Sequence, residues 1–160
     1  MDQSARGATF LEFVSTLTGV SQKVVGQAQN AAHYLENFAA LAEKQTGAKN
    51  TFDELLMLYA ILRSRSTPDQ AVTTILSGAY DPKSPPTWPF SAQTRSLMNF
   101  VLLGTWFDPA DINDDGIIVT SALYSESLVW LIAQAHPVGA SKLGYGHWAG
   151  PPPPLKSLIG

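Results

Sequence analysis

The sequence predicts an all-α fold: a compact bundle of about five to six helices over residues 1–137, followed by an extended Pro/Gly-rich segment over residues 138–160. Through the first two thirds of the chain, apolar residues recur at steps of three and four, the spacing of one helix face. Helix-capping residues stand at the ends of these runs. Prolines, which interrupt helices, are concentrated at residues 80–89 and in the final segment.

The first two predicted helices are separated by a glycine. An apolar stripe from Phe10 to Leu17 ends at Gly19, a residue that readily adopts the left-handed conformation of a helix C-cap. Ser21 is an N-cap residue for a second, longer run rich in alanine, which ends at Gly47. This run is expected to form one continuous helix.

The third and fourth helices have distinct starts. Thr51 begins a helix whose first turn holds Asp53 and Glu54, where negative charge complements the helix dipole. Thr67 is followed by proline, which combines a cap residue with the residue preferred at the first helical position. This fourth helix is expected to extend to about Gly78.

A loop separates these helices from a fifth one. The stretch 80–89 reads YDPKSPPTWP, and its four prolines remove backbone donors and clash with preceding turns, so it is predicted to be extended. Ser91 is expected to cap the fifth helix, which continues towards Trp106.

The sixth helix follows a polar turn. Residues 108–116 predict that turn, and residues 117–119 predict a short extended piece. Thr120 or Ser121 is expected to cap a helix that ends at His136. Beyond it, residues 151–154 are four consecutive prolines, which favour the polyproline II conformation.

The composition excludes several classes of protein. Charged residues make up 14% of the 160 residues, against about 25% in ordinary globular domains, so part of the surface is expected to face another protein. A net charge of −3 argues against nucleic-acid binding. The absence of cysteine excludes disulfides, thiolate zinc sites and cysteine nucleophiles. No apolar run is long enough to span a membrane.

Two patterns raise the question of a metal or catalytic site. The stretch DINDDG at residues 111–116 matches the opening of a calcium-binding EF-hand loop, but the twelfth position, which requires glutamate, is Ala122. A polar turn with its corner at Gly116 is the favoured interpretation. His33, His136 and His147 are too scattered to form a metal site, and the sequence predicts no catalytic group in this chain.

The C-terminal 44 residues have an unusual composition. From Ile117 onwards they contain three charged residues and four large aromatic residues, which is typical of the core of a protein interface. Two interpretations of the segment 138–160 remain open: it docks on another subunit, or it folds back over its own helices.

Four stretches, taken in order, resemble a known family. They are FLEFVSTLTG (Phe10–Gly19), LLGTWF (Leu102–Phe107), TSALYSESLVW (Thr120–Trp130) and GYGHWAGPP (Gly144–Pro152). Together they resemble the small (gamma) subunit of bacterial periplasmic FAD-dependent sugar dehydrogenase complexes. These complexes include fructose, sorbitol and glucose dehydrogenases and relatives that act at C3 of glycosides.

The resemblance implies a role without chemistry of its own. In that family the small subunit is all-helical and has no active site or cofactor, while FAD is bound by a large catalytic subunit of the glucose–methanol–choline type. A cytochrome c subunit often accepts the electrons. The small subunit carries a twin-arginine leader and escorts the folded large subunit from the cytoplasm to the periplasm.

This chain departs from the family pattern in two respects. The family's cysteine ahead of the closing tryptophan is missing from the stretch His136–Trp148, so attachment to the large subunit is expected to be non-covalent. The opening MDQSARG also lacks the pattern of a secretory leader. Either the chain is not exported on a signal of its own, or a leader has been removed.

Partner contact is expected at aromatic residues and at the prolines of the final segment, because aromatic anchors contribute much of the energy of protein interfaces. These residues are Trp88, Trp106, Tyr124, Trp130, Tyr145, His147, Trp148, Pro151, Pro152 and Pro153. An alternative function is an independent helical protein-binding module or homodimeric adaptor. A second alternative, a calcium-linked or hydrolytic enzyme, rests only on DINDDG and on scattered serines.

Overall fold

The computed structural model describes residues 1–27, 31–83, 88–108, 111, 114–133 and 135. The predicted all-α class is confirmed, because helices dominate this part of the chain and the two strands are short. The helices are α1 (Gln3–Thr18), α2 (Gln22–Gln27), α3 (Ala31–Thr46), α4 (Thr51–Arg63), α5 (Pro68–Leu76), α6 (Phe90–Leu103), α7 (Ser121–Ser125) and α8 (Leu128–Ala133). The strands are β1 (Thr105–Trp106) and β2 (Ile117–Ile118).

Helix α1 is the centre of the bundle. It packs against α3, α4, α5 and α6, and those four helices contact one another in that order, with α6 returning to α3. Helices α4 and α6 therefore lie on opposite sides of α1. The C-terminal elements extend from the α6 side, since β1 and α8 both pack against α6.

Aromatic rings fill the core between these helices. Phe38 of α3 lies 4.7 Å from Phe52, 5.6 Å from Phe100 and 5.3 Å from Trp106, measured between ring centroids. The ring of Phe13 on the central helix lies 4.7 Å from that of Tyr59. All six side chains are at most 3% exposed, which corresponds to a large favourable burial of apolar surface.

Local cap signals predict several helix ends correctly. Gly19 ends α1 with a positive φ of 72°. Thr67 begins α5 with a complete capping box, in which the Thr67 hydroxyl accepts from the Gln70 amide at 3.3 Å and the Gln70 side chain accepts from the Thr67 amide at 3.1 Å. The predicted start at Thr51 is also confirmed.

One predicted helix is divided in the structure. The run expected to reach His136 ends α7 at Ser125 and resumes as α8. At this break the Tyr124 carbonyl accepts hydrogen bonds from the Ser127 amide at 3.3 Å and from the Trp130 indole at 2.8 Å. The run from Ser21 to Gly47 is helical in α2 and α3, and residues 28–30 between them lie outside the described residues.

The predicted N-cap of the fifth helix, Ser91, is wrong, and the helix ends three residues before Trp106. Pro89 occupies the N-cap position, and Ser91 donates its amide (2.8 Å) and its hydroxyl (2.6 Å) to the carboxylate of Asp81. Helix α6 stops at Leu103 because Gly104 takes a left-handed conformation, with φ at 67°. Trp106 consequently lies in β1, which pairs antiparallel with β2.

The extended piece predicted at residues 117–119 is confirmed as β2 over its first two residues. None of the described helices is both long and apolar enough to cross a membrane.

Candidate partner-binding surface

The segment that carries α7 and α8 is fixed firmly to the bundle. Leu123 and Leu128 are at most 2% exposed, so each of these short helices contributes one side chain to the core. The Tyr34 hydroxyl of α3 donates a buried hydrogen bond of 2.8 Å to the Leu123 carbonyl. A Cβ at Gly104 would lie 2.6 Å from the Cα of Tyr124, so only glycine permits this close approach of α7 to the end of α6.

The buried phenol of Tyr34 makes the stability of the fold depend on pH in the alkaline range. Burial, with a smaller contribution from the negative charge of Glu126, raises the pKa of Tyr34 above its ordinary value. A phenol whose pKa is raised by folding contributes stability that is present in full below about pH 10 and is lost as the pH rises further. Tyr34 is therefore expected to make the fold sensitive to strong base.

Replacing Tyr34 by phenylalanine tests this hydrogen bond. The Y34F variant is expected to lose about 1–2 kcal/mol of unfolding free energy at neutral pH, because the buried Leu123 carbonyl loses a partner. Its loss of stability above pH 10 should be smaller than that of the wild type. Urea unfolding at pH 7 and at several values above pH 10 measures both effects; an unchanged stability at pH 7 would contradict the role of this bond.

Two of the predicted contact residues, Tyr124 and Trp130, form a half-buried pair on this segment. Their rings meet edge to face with centroids 5.4 Å apart. The indole nitrogen donates to the Tyr124 carbonyl, so the pair holds α7 and α8 in a fixed relation. The exposed parts of both rings are preorganised.

The same C-terminal segment also exposes aliphatic side chains. Ile117 and Ile118 of β2 are each 56% exposed, and Leu131 and Ile132 of α8 are each 44% exposed. We call these four exposed side chains of the C-terminal segment the C-terminal face; Ile117 and Ile118 point to opposite sides of β2, so the name stands for the set and not for one continuous patch. Between residues 117 and 135 the sequence has a single charged residue, Glu126. Exposed aliphatic side chains with almost no charge around them are typical of a surface that another protein covers.

The sequence did not identify these four residues as contacts. The sequence predicts Leu131 and Ile132 on one helix with Leu123 and Leu128 and does not show which of them face outward; in the structure Leu131 and Ile132 are exposed. A signal for this exposure was present in the sequence. Residues Leu128–Ala133 are six uncharged residues in a row, and a helix that packs on one side cannot bury all of them.

Trp88 and Trp106, two other predicted contacts, lie in the core of this chain. They are 8% and 3% exposed, and their ring centroids are 5.5 Å apart. The Trp88 carbonyl accepts a 3.1 Å hydrogen bond from the buried amide of Gln93. Their apolar surface is already covered by this chain, so the structure places them apart from the exposed face.

The remaining predicted contacts lie outside the described residues. They are Tyr145, His147, Trp148, Pro151, Pro152 and Pro153. The expected docking of residues 138–160 on a partner therefore stays a prediction.

In the acidic stretch before β2, the described residues Asp108, Asp114 and Gly116 are joined by hydrogen bonds. The Asp114 carboxylate accepts hydrogen bonds from the amides of Asp108 at 2.7 Å and Gly116 at 3.0 Å, and these bonds lower the pKa of Asp114. Gly116 has the positive φ, 76°, expected of a tight corner. Within the described part of the chain, no group of three or more metal-ligating side chains comes together.

Among the described residues, β2 and α8 therefore expose apolar side chains on a segment that buried leucines and hydrogen bonds hold against the bundle. The described residues also form an open polar depression around the ion pairs of Arg6 with Glu36 (2.6 Å) and Asp53 (2.7 Å). Its lining residues come from the first third of the sequence, whereas the C-terminal face comes from the last third.

No protein-family model matches the chain, and comparison with curated proteins and with solved structures finds no significant similarity.

Proposed function

We propose that this chain is the non-catalytic small subunit of a bacterial FAD-dependent sugar or glycoside dehydrogenase, and that it escorts the large flavoprotein subunit through maturation and export to the periplasm. The observation that carries the proposal is the C-terminal face, Ile117, Ile118, Leu131 and Ile132, on a segment locked to the bundle. The four family-like stretches in the sequence supply the identity of the partner.

The physical basis is the gain from covering this face. Each Å² of apolar surface removed from water contributes about 25 cal/mol, and four half-exposed aliphatic side chains offer a substantial area. Association also costs conformational entropy, because groups that are mobile in the free protein become ordered in the complex. Because the hydrogen bonds of Tyr34 and Trp130 already fix α7 and α8, little of that cost falls on the described part of this chain.

The chemistry belongs to the partner in this proposal. A large subunit of the glucose–methanol–choline type binds FAD and oxidises the sugar, and a cytochrome c subunit accepts the electrons. This chain contributes binding surface and, through the twin-arginine leader that is typical of the family, the route of export.

Co-expression tests the escort function. The full chain, fused to a twin-arginine leader, is expressed with a flavoprotein of the glucose–methanol–choline type from the same organism, and the flavoprotein is expressed alone as the control. We expect FAD-loaded flavoprotein in the periplasm only when the chain is present, and co-purification of the two proteins. Equal export and FAD content without the chain would contradict the proposal.

A homodimeric adaptor would use the same exposed face, since apolar surface is covered equally well by a second copy. Light scattering of the purified chain separates the two functions. A monomer that forms a complex with the flavoprotein supports the escort, whereas a stable dimer that does not bind the flavoprotein supports the adaptor.

A further inference from the structure

Strand β2 has one side without a neighbouring strand in the described part of the chain. The sheet consists of β1 and β2 alone, with Thr105 opposite Ile118 and Trp106 opposite Ile117. Successive residues of an antiparallel strand direct their backbone groups to alternate sides. One of the two isoleucines therefore directs its amide and carbonyl outward, where another strand could bind them.

The buried layer that contains Trp106 does not extend to Ile117 on β2. Trp106 and Ile117 are directly opposite in the pairing, so their side chains lie on the same face of the ribbon. Trp106 is 3% exposed, yet Ile117 is 56% exposed. A strand added beside β2 would cover Ile117 and continue the core layer, and its other face would cover Ile118.

The charge next to this edge indicates what kind of strand fits. Residues 108–116 contain four aspartates and no basic residue. The side chains of Asp111 and Asp115 are exposed, and Gly116 joins this loop directly to β2. A binding segment with lysine or arginine beside its apolar residues would complement this negative charge and avoid repulsion.

We propose that β2 accepts an extended segment of the flavoprotein as an added strand, with apolar side chains against Ile117 and Ile118 and a basic residue facing the aspartate-rich loop. The proposal rests on the escort function and specifies how the partner is recognised. Main-chain hydrogen bonds would supply affinity, while the isoleucines and the acidic loop would select the segment.

Binding of purified variants to the FAD-loaded flavoprotein tests the side-chain part of this proposal. I118K is expected to weaken the complex about 10- to 100-fold, since it replaces an apolar contact by a charge. Ile61 on α4 is 49% exposed on the other side of the bundle, so I61K is the matched control and should bind within about twofold of the wild type.

The acidic loop is tested in the same assay. D115K should weaken binding about 3- to 10-fold, with a smaller effect at high salt, because exposed charges act mainly on the association rate. E54K reverses an exposed charge on α4 and should change binding by less than about twofold. Thermal unfolding should show that all four variants fold, since each replaced side chain is exposed.

Hydrogen exchange distinguishes strand addition from side-chain contact alone. In the complex, the backbone amides of β2 should exchange more slowly than in the free chain. Wild-type affinity in I118K, or unchanged exchange at β2, would overturn the added strand and leave the escort function standing; wild-type affinity in D115K would overturn the basic residue. Absence of any complex with the wild-type chain would overturn both the escort function and this inference.

Discussion

Replacing Gly104 by alanine is expected to destabilise the folded chain by about 2–5 kcal/mol. Two effects add. Gly104 has φ at 67°, a left-handed conformation that costs other residues about 1–2 kcal/mol. The new Cβ would also lie 2.6 Å from the Cα of Tyr124 and 2.7 Å from the Leu123 carbonyl oxygen, so α7 would have to move.

Gly47 provides a matched control for G104A. It has nearly the same conformation, with φ at 68°, but nothing lies within 4 Å of the position of its Cβ. G47A should therefore lose only the conformational part, about 1–2 kcal/mol. Urea unfolding measures both variants; equal losses would show that the close approach of α7 to α6 does not contribute to stability.

Replacing Trp106 by alanine is the second large effect, with an expected loss of about 3–5 kcal/mol in the isolated chain. The indole contacts Phe38, Trp88 and Phe100, with ring centroids 5.3, 5.5 and 6.4 Å away, and its removal leaves a cavity among them. The loss should appear without any partner present, because these contacts are all within this chain.

Comparing the unfolding free energies of tryptophan variants shows which tryptophan belongs to the core of this chain. W106F keeps most of the volume and should lose less than W106A. W130A should lose less as well, since Trp130 is only half-buried. Chemical unfolding of the isolated chain is the measurement. A W106A chain as stable as the wild type, yet unable to bind the flavoprotein, would show that Trp106 is a partner contact instead of a core residue.

Helix starts and stops could be predicted wherever the signal is local. The capping box of Thr67 and Gln70 spans four residues, and Gly19 directly follows its helix, so both could be predicted from the sequence. The boundaries of α6 were not. The Ser91 amide in its first turn donates to Asp81, ten residues earlier. Strand β1, which follows the helix, pairs with Ile117–Ile118, more than ten residues later. Such contacts depend on the tertiary fold.

Whether the C-terminal section binds a partner stays a prediction, but the exposure of its side chains can be compared with the sequence. The section that is low in charge holds the four exposed side chains of the C-terminal face. Aromatic type alone, however, does not separate a core ring from a surface ring. Trp88 and Trp106 lie outside helices in the structure, so helical periodicity does not show which way they point, and the single helix predicted up to His136 does not reveal the break that precedes the exposed side chains of α8.

The most direct test of the escort account compares two faces of the bundle in one binding experiment. The double variant L131D/I132D places charge on the C-terminal face, and M57D/I61D places it on α4, where both side chains are 49% exposed. Co-purification with the FAD-loaded flavoprotein is the measurement. The account predicts that L131D/I132D loses the flavoprotein while M57D/I61D retains it; retention by the first variant, or equal loss by both, would contradict it.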